Sequence, residues 1–416
     1  MTRPMRILML TQSYAPIVGG IEHMVEAISE ELAKRGHEIA IATLRQPSSE
    51  PIGSEAVPAF GLDTSVHSLP GLRLDEERRH APPGPDPRTT RELRSLIKSF
   101  RPDIVHAHDW LIHSYLPLDR RSSPGLVLSM HDYGLTCATK RFMHRGAEIC
   151  SGPETIKCVR CSCEVYESVA KGTPSALGTR MSERRIRRHV DVFVPVSTAV
   201  RDLCRLGPED THRVINNFVI GQPAPLGEEP ELSGLPDEPF IMYFGDVSEE
   251  KGVHNLVAAY RELENAPPLV LIGRRIPGEI EEPSNGVMAL GRMPHRLVLE
   301  ALRRSLFTVA PSIWSDPFPV VALEAAAAGK PTIASRIGGL QDSVVDGETG
   351  FLVPPGDRPA LAQAMRRLID DTELRERMGA AAASRQAELY TPDTVIPQYE
   401  QAYELALEQR RARAAG

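Results

Sequence analysis

Apolar residues recur along this chain in two rhythms. Arg6–Thr11 (R-I-L-M-L-T) is a short, nearly unbroken apolar run of strand length. Ile21, Met24, Val25, Ile28 and Leu32 then recur at helical spacing, Gly36 stops the helix, and His37–Thr43 is apolar again. Strand, glycine turn, helix and strand form one β-α-β unit, which implies a parallel sheet. Further on, the pattern predicts a short helix at Arg91–Phe100 and strands at Ile104–Ala107, Leu126–Met130 and Asp191–Ser197. V-I-N-N-F-V at 214–219 reads as the last strand of a first domain. Gln46–Thr90 interrupts the rhythm; rich in Pro and Gly, it reads as long loops, which tend to be functional or mobile.

A Pro-, Gly- and Glu-rich stretch, Gly221–Pro239, reads as a linker, and a second alternating series follows it. Its predicted strands are Phe240–Phe244, Leu269–Gly273, Val287–Leu290, Leu306–Ala310 and Thr332–Ser335, with helices at Val253–Leu263 and within Gly291–Ser305. Pro359–Ile369, Glu373–Tyr390 and Thr391–Arg410 close the chain as helices. The expected fold class is α/β: domains at 1–217 and 218–390, and a final helix at 391–416 that crosses back to the first.

Pro311–Ser335 organises the second series. A proline-broken loop carries Asp316 and leads into a helix from Pro319 to Gly329. Val320–Leu323 and Ala325–Ala328 leave that helix almost no polar face, so it is expected to be buried all round, with Glu324 breaking the pattern. A buried carboxylate needs a partner, either a protein donor or a ligand hydroxyl.

Composition narrows the classes. The chain has 416 residues, a two-domain length, with 41% hydrophobic residues and a net charge of −7. That charge argues against a general nucleic-acid binder. No apolar run approaches a membrane span, and Met1–Arg6 is too short and polar for a signal peptide, so cytoplasmic residence is expected.

Several clusters carry candidate chemistry. Gly19-Gly20 precedes a helix, where backbone N–H groups can approach an anion, although many tight turns use the same pair. There is no G-x-G-x-x-G, which counts against a nicotinamide or flavin dehydrogenase. His106, His108, Asp109 and His113 crowd one strand end; a metal set can be drawn from the last three, but cleft lining is the expected role. His131 and Asp132 follow the next strand, where open α/β sheets place ligands. Cys137, Cys150, Cys158 and Cys161 have the form of a four-thiolate zinc site in an inserted loop, with Cys163 a substitute ligand; unligated thiols are the alternative. Ser182–His189 on a helix makes a strongly basic face, a hydrated surface by default and otherwise a contact for an anionic membrane or acidic acceptor. Lys251 stands at a helix entrance, where its charge can neutralise a diphosphate. Gly338-Gly339, before another helix, offers backbone donors or an ordinary turn.

Asp316 and Glu324, eight positions apart, resemble the E-x7-E signature of the retaining glycosyltransferases of family 4, with Asp in place of the first Glu. The glycine loop, D-I-V-H-A-H, E-K-G and R-I-G-G-L-Q-D also resemble that family, and some of its members share the cysteine pattern. The resemblance implies a GT-B fold, two Rossmann-like domains facing a cleft. It implies transfer of a sugar from a UDP- or GDP-sugar to an acceptor hydroxyl, with anomeric retention and no catalytic metal. It places Glu324 on the donor ribose, Asp316 on the transferring sugar, His131 near the reacting carbon, and Lys251 with Gly19 and Gly20 on the diphosphate. The family's usual arginine after the first strand of the second domain is here Asp246, leaving Arg274 or Arg275 to substitute. No covalent nucleophile stands out, so a same-face displacement is expected. A nucleotide-sugar epimerase on the same fold and a non-catalytic sugar-nucleotide or scaffold protein are the rival readings. The sequence names neither the acceptor nor the sugar.

Overall fold

The apolar runs become the strands of two parallel sheets. The computed structural model describes residues 3–14, 20–44, 57–58, 65–71, 83–120, 123–146, 148–219, 234–274 and 286–415. Contacts divide the chain into two compact units, Met1–Asn216 with Val395–Gly416, and Asn217–Thr394.

The first unit runs β1 (Arg6–Thr11), α1 (Gly20–Lys34), β2 (Glu38–Leu44), β3 (Val57–Pro58), β4 (Ser65–Leu69), α2 (Pro87–Phe100), β5 (Ile104–Ala107), α3 (Ile112–Tyr115), β6 (Gly125–Met130), β7 (Met143–His144), β8 (Glu148–Ile149), α4 (Thr155–Val165), α5 (Val169–His189), β9 (Val192–Pro195) and α6 (Thr198–Leu203). Its sheet order is β3-β4-β2-β1-β5-β6-β9. All neighbours are parallel except β3 on β4. Central strands of a parallel sheet are covered on both faces, which explains their unbroken apolar runs. Ile7 to Leu10 of β1 are fully enclosed.

Three local expectations need correcting here. The stretch 46–90 is not all loop. Ser65–Leu69 pairs with β2 as a parallel strand; it escaped notice because most of its side chains are polar and half-buried. At the end of that stretch α2 starts at Pro87, capped by Asp86, whose Oδ1 accepts the N–H groups of Arg88 and Thr89 at 3.0 and 3.1 Å. Second, 214–219 adds no strand; Ile215 only donates to the Pro195 carbonyl at 3.1 Å, along the edge of β9. Third, Cys158, Cys161 and Cys163 lie on a helix, α4, rather than in a loop.

The second unit contains β10 (Ile241–Phe244), α7 (Val253–Arg261), β11 (Leu269–Ile272), β12 (Val287–Gly291), α8 (His295–Arg304), β13 (Phe307–Ala310), α9 (Val321–Ala327), β14 (Thr332–Ser335), α10 (Leu340–Ser343), β15 (Gly350–Val353), α11 (Arg358–Asp370) and α12 (Thr372–Leu389). All sheet neighbours are parallel, in the order β12-β11-β10-β13-β14-β15. Ile241, Tyr243, Leu271, Phe307 and Ile333 pack with α7 and α11 on one face of the sheet, while Met242, Val270 and Ile272 pack with α8 on the other.

The last helix, α13 (Pro392–Ala415), packs into the first unit from Val395 onward. Tyr399, Tyr403 and Ala406 are fully buried. Arg410 is buried too, bonded to Asp191 and to Asp119 at 2.9 Å, and Glu400 meets His37 at 3.1 Å. A buried arginine is tolerated because both carboxylates lie within its planar fork.

Candidate active site

Each sheet has one place where the strand order reverses. In the first unit it is between β1 and β5, and in the second between β10 and β13. Loops leaving the carboxyl ends of such a pair diverge and open a crevice. His108, Asp109, Lys251 and Asp316 sit on these loops, and His131 and Asp132 on the loop after β6.

In the second unit, the loop after β10 carries Lys251 and the loop after β13 carries Asp316, and the two side chains form a direct ion pair. Asp316 is buried and Lys251 half-buried. An ammonium has three donors, so serving Asp316 occupies one of them. Lys251 also lies 5.4 Å from the centre of the Trp314 ring, and the buried Trp314 Nε1 has no hydrogen-bond partner among the described residues. A donor of that kind beside a cation suits an anionic or hydroxyl-bearing ligand. Gly252 follows Lys251 in the left-handed region, φ 71°, and a Cβ there would stand 1.9 Å from the Pro311 carbonyl oxygen. Only glycine lets the two loops touch.

Gly338 and Gly339 serve the same loop contact. The Gly339 N–H donates to the Asp316 carbonyl at 2.8 Å, and a Cβ on Gly338 would stand 2.2 Å from that oxygen. The expected donor at Gly339 is therefore spent on holding the Asp316 loop. Arg274 follows β11 and pairs with Asp246, its Nη2 donating to Oδ2 at 2.7 Å. Both side chains of that pair are about half exposed. Arg275 and Gly19 lie outside the described residues; Gly20 is the first residue of α1.

Two expectations about α9 change. It is shorter than the pattern predicts, and it is not buried all round: Val321, Glu324 and Ala327 form a half-buried side. Small alanines allow close packing on one face, while the other opens. Glu324 lies on the open side, with 13% of its side chain exposed, and accepts from His295 Nε2 at 2.7 Å. The Glu324 hydrogen bond holds the His295 pKa above its ordinary value. His295 is the site residue that sequence reasoning missed. Its one signal was position: it opens α8 directly after Pro294.

The first unit is different in kind. His106 (β5), His108 and His131 form a ladder of imidazoles. His106 bridges Ser129 Oγ at 2.8 Å and Tyr403 Oη at 2.9 Å. Its ring lies 4.1 Å from that of His108, and His108 Nδ1 meets His131 Nε2 at 3.0 Å. Burial lowers the His131 pKa to about 4, and burial with the charge of His131 lowers that of His106 to about 3. Burial also pushes His108 well below its usual value. These rings are neutral at pH 7. In the His108–His131 contact one ring gives the N–H and the other the lone pair. His131 thus partners His108, while Asp132 accepts the Gly134 N–H at 2.6 Å and faces Lys140 at 3.7 Å. Asp109 ties the reversal point together, accepting from Thr11 Oγ1 at 3.2 Å, from the Gln12 N–H and from the Leu111 N–H at 3.0 Å.

His108 Nε2 is buried and has no partner among the described residues. An unpaired buried nitrogen costs roughly 1–3 kcal/mol, a cost that a bound hydroxyl would remove. It borders a cavity of about 730 Å³, counted with its open mouth, shared by His131, Trp110, Met130, Tyr166 and Lys140.

The cysteines also gather in this unit. Burial raises the Cys158 and Cys161 pKa values, and the Cys137 and Cys150 thiols add to that electrostatically, so the four lie within reach of one another's charge. Each has its own neighbours: Cys161 Sγ accepts the Arg145 N–H at 3.1 Å, Cys150 Sγ the Gly152 N–H at 3.4 Å, and Cys137 Sγ lies 3.3 Å from Thr139 Oγ1. Cys163 meets Thr173 instead, at 3.5 Å. Among the described residues no group of three or more His, Cys, Asp or Glu is arranged to hold a metal, so neither the four-thiolate set nor the His108, Asp109 and His113 set is closed there.

Two Rossmann-like units, with an acid–lysine pair at one reversal point and polar loops at the other, make up a GT-B fold. The chain belongs to the group 1 glycosyltransferases: the model "Glycosyl transferases group 1" matches residues 228–385, and "Glycosyl transferase 4-like domain" matches 19–217. It is 28% identical to a glycogen synthase of Mycobacterium tuberculosis, over 96% of this chain and 94% of that protein. Its fold matches sucrose-phosphate synthase from Thermosynechococcus elongatus with a TM-score of 0.72, at 21% identity, covering 96% of this chain and 98% of that one. It matches Anabaena HepE in complex with UDP and glucose with a TM-score of 0.69, at 18% identity, covering 96% and 99%.

Proposed function

We propose that this glycosyltransferase moves a sugar from a nucleoside diphosphate sugar, a UDP- or GDP-sugar, to an acceptor hydroxyl with retention of anomeric configuration. The bond from the anomeric carbon to the diphosphate oxygen breaks, and a bond to the acceptor oxygen forms on the same face. The acceptor proton passes to the departing phosphate. Lys251 holds the diphosphate as its charge grows, and Gly19, Gly20 and, once released from Asp246, Arg274 assist it. Asp316 aligns the sugar, and the Gly338-Gly339 turn fixes the Asp316 loop. Glu324 receives the ribose hydroxyls, for which its half-open side and single histidine partner leave room. His131, a neutral imidazole, faces the reacting carbon, and His108 receives the acceptor hydroxyl in the cavity beside it. Cationic side chains and helix ends supply the charge stabilisation, so turnover is expected to survive chelation by EDTA.

The observation that carries this reading is the pairing of Lys251 with Asp316 at a strand-order reversal, in a chain whose fold neighbour holds UDP and glucose. Calorimetric titration with UDP tests it. Glu324→Ala is expected to weaken binding by about 10- to 100-fold, the loss of hydrogen bonds to a charged group. An unchanged dissociation constant would remove Glu324 from the donor site.

A structural zinc on Cys137, Cys150, Cys158 and Cys161 is a separate proposal. Its support is the C-x2-C spacing, the mutual influence of the four thiols, and the N–H groups aimed at Cys150 and Cys161. Elemental analysis of purified protein is expected to find about one zinc per chain. Metal-free protein whose thiols all react with a thiol reagent in the native state would end the idea.

A further inference from the structure

The large apolar side chains that stand out of the described surface come from one region. Ile149, Ile156, Val169, Leu177 and Met181 are 55%, 70%, 72%, 42% and 75% exposed, and all five lie on β8, α4 and α5. The inner face of α5 is accounted for: Ser175, Thr179 and Ile186 wall the cavity described above. Ala170, Pro174, Leu177, Met181, Arg184 and Arg188 are all exposed. Their alternating spacing of four and three residues places them on a single outer stripe. That stripe is apolar in its first half and cationic in its second. Exposed Arg180 and Arg185 flank it. Of the cations on α5, Arg187 is spent on Glu183 and Asp210, while Lys171, Arg180, Arg184, Arg185 and Arg188 are exposed, in a chain whose net charge is −7.

We infer that the outer face of α4 and α5 docks on an anionic lipid surface, its apolar side chains entering the headgroup layer and its arginines meeting lipid phosphates. A concentrated positive patch on a negative chain complements a plane of negative charge. A two-fold contact centred on the arginine half would set like charges against each other. Among the described residues no helix is long and apolar enough to cross a membrane, so the contact lies on the surface. The proposal is read by binding alone and stands apart from the transferase reading.

Co-sedimentation of the full chain with vesicles tests it, using phosphatidylcholine alone and phosphatidylcholine mixed with phosphatidylglycerol. Binding is expected only to the mixed vesicles and should weaken as salt is added. The partition constant should fall about fivefold for each arginine removed in Arg184→Gln and Arg188→Gln. The double variant Leu177→Glu, Met181→Glu should abolish binding, with unchanged circular dichroism because both side chains are exposed. Equal binding to both vesicle types, or none to the mixed ones, would overturn the proposal. So would a dimer in solution that the double variant dissolves, which would show that the face meets a second copy.

Discussion

The two units solve similar geometric problems with opposite chemistry. Both place candidate residues at the carboxyl ends of parallel strands beside a reversal of strand order. The second unit fills that place with charge: Lys251 on Asp316, Arg274 on Asp246, His295 on Glu324. Most of these groups are half-buried or exposed, where an ion pair costs little and can be rearranged. The first unit fills it with neutral imidazoles, buried and stacked behind a cavity. Charge that can change partners suits a diphosphate, which arrives and leaves as an anion. A neutral ladder with one ring nitrogen unpaired among the described residues offers a single oriented hydrogen bond and no net charge. The difference teaches that burial, more than residue type, divides the labour.

The largest expected effect lies in the imidazole ladder. Burial lowers the pKa values of the ladder, to about 4 for His131 and about 3 for His106, and well below the usual value for His108. A lowered histidine stabilises the fold above its unfolded value, near about 6.5, and the stabilisation is lost as pH falls toward the folded value. Stability is therefore expected to drop as pH falls from about 6.5 toward about 4, because the unfolded chain takes up protons that the buried rings do not. Denaturant unfolding across that range checks it. A flat profile would mean the rings are not held neutral by burial.

Next comes the ion pair. Lys251→Ala is expected to lower kcat by about 10²- to 10³-fold, as removal of a preorganised electrostatic donor does. Single-turnover measurement with saturating donor would read the loss in the chemical step. A loss confined to KM would make Lys251 a binding residue only.

The smallest effect is at His295. Glu324 raises the His295 pKa, so the pair adds stability fully below about pH 6.5 and loses it as pH rises through the folded value. The His295 side chain is 64% exposed, so solvent screening keeps the contribution to about 0.5 kcal/mol. His295→Ala should lower Tm slightly at mildly acidic pH and not at alkaline pH. A loss that grows with pH would reverse the assignment.

Most strands and helices were legible because burial on both faces writes an unbroken apolar run, and burial on one face writes a periodic one. The polar strand Ser65–Leu69 was not, because its partner β2 rather than its own side chains holds it in the sheet. The candidate residues were legible as types at strand ends: His131 after β6, Lys251 before α7, Asp316 after β13. Glu324 stood out as an acid in an alanine-rich helix, but the open side of that helix did not, because its exposure depends on what packs against it.

By itself the sequence determined the alternation of strands and helices, the two-unit organisation, and the residues on which ionic and imidazole chemistry depends. Tertiary structure decided the pairings. Lys251 meets Asp316 across 65 positions, His295 meets Glu324 across 29, and His108 meets His131 across 23. Sheet order sets those distances, because hydrogen-bonded neighbours need not be neighbours in the chain. It was also the fold that pressed Gly338 and Gly339 against the Asp316 loop, where a Cβ on either would collide with backbone.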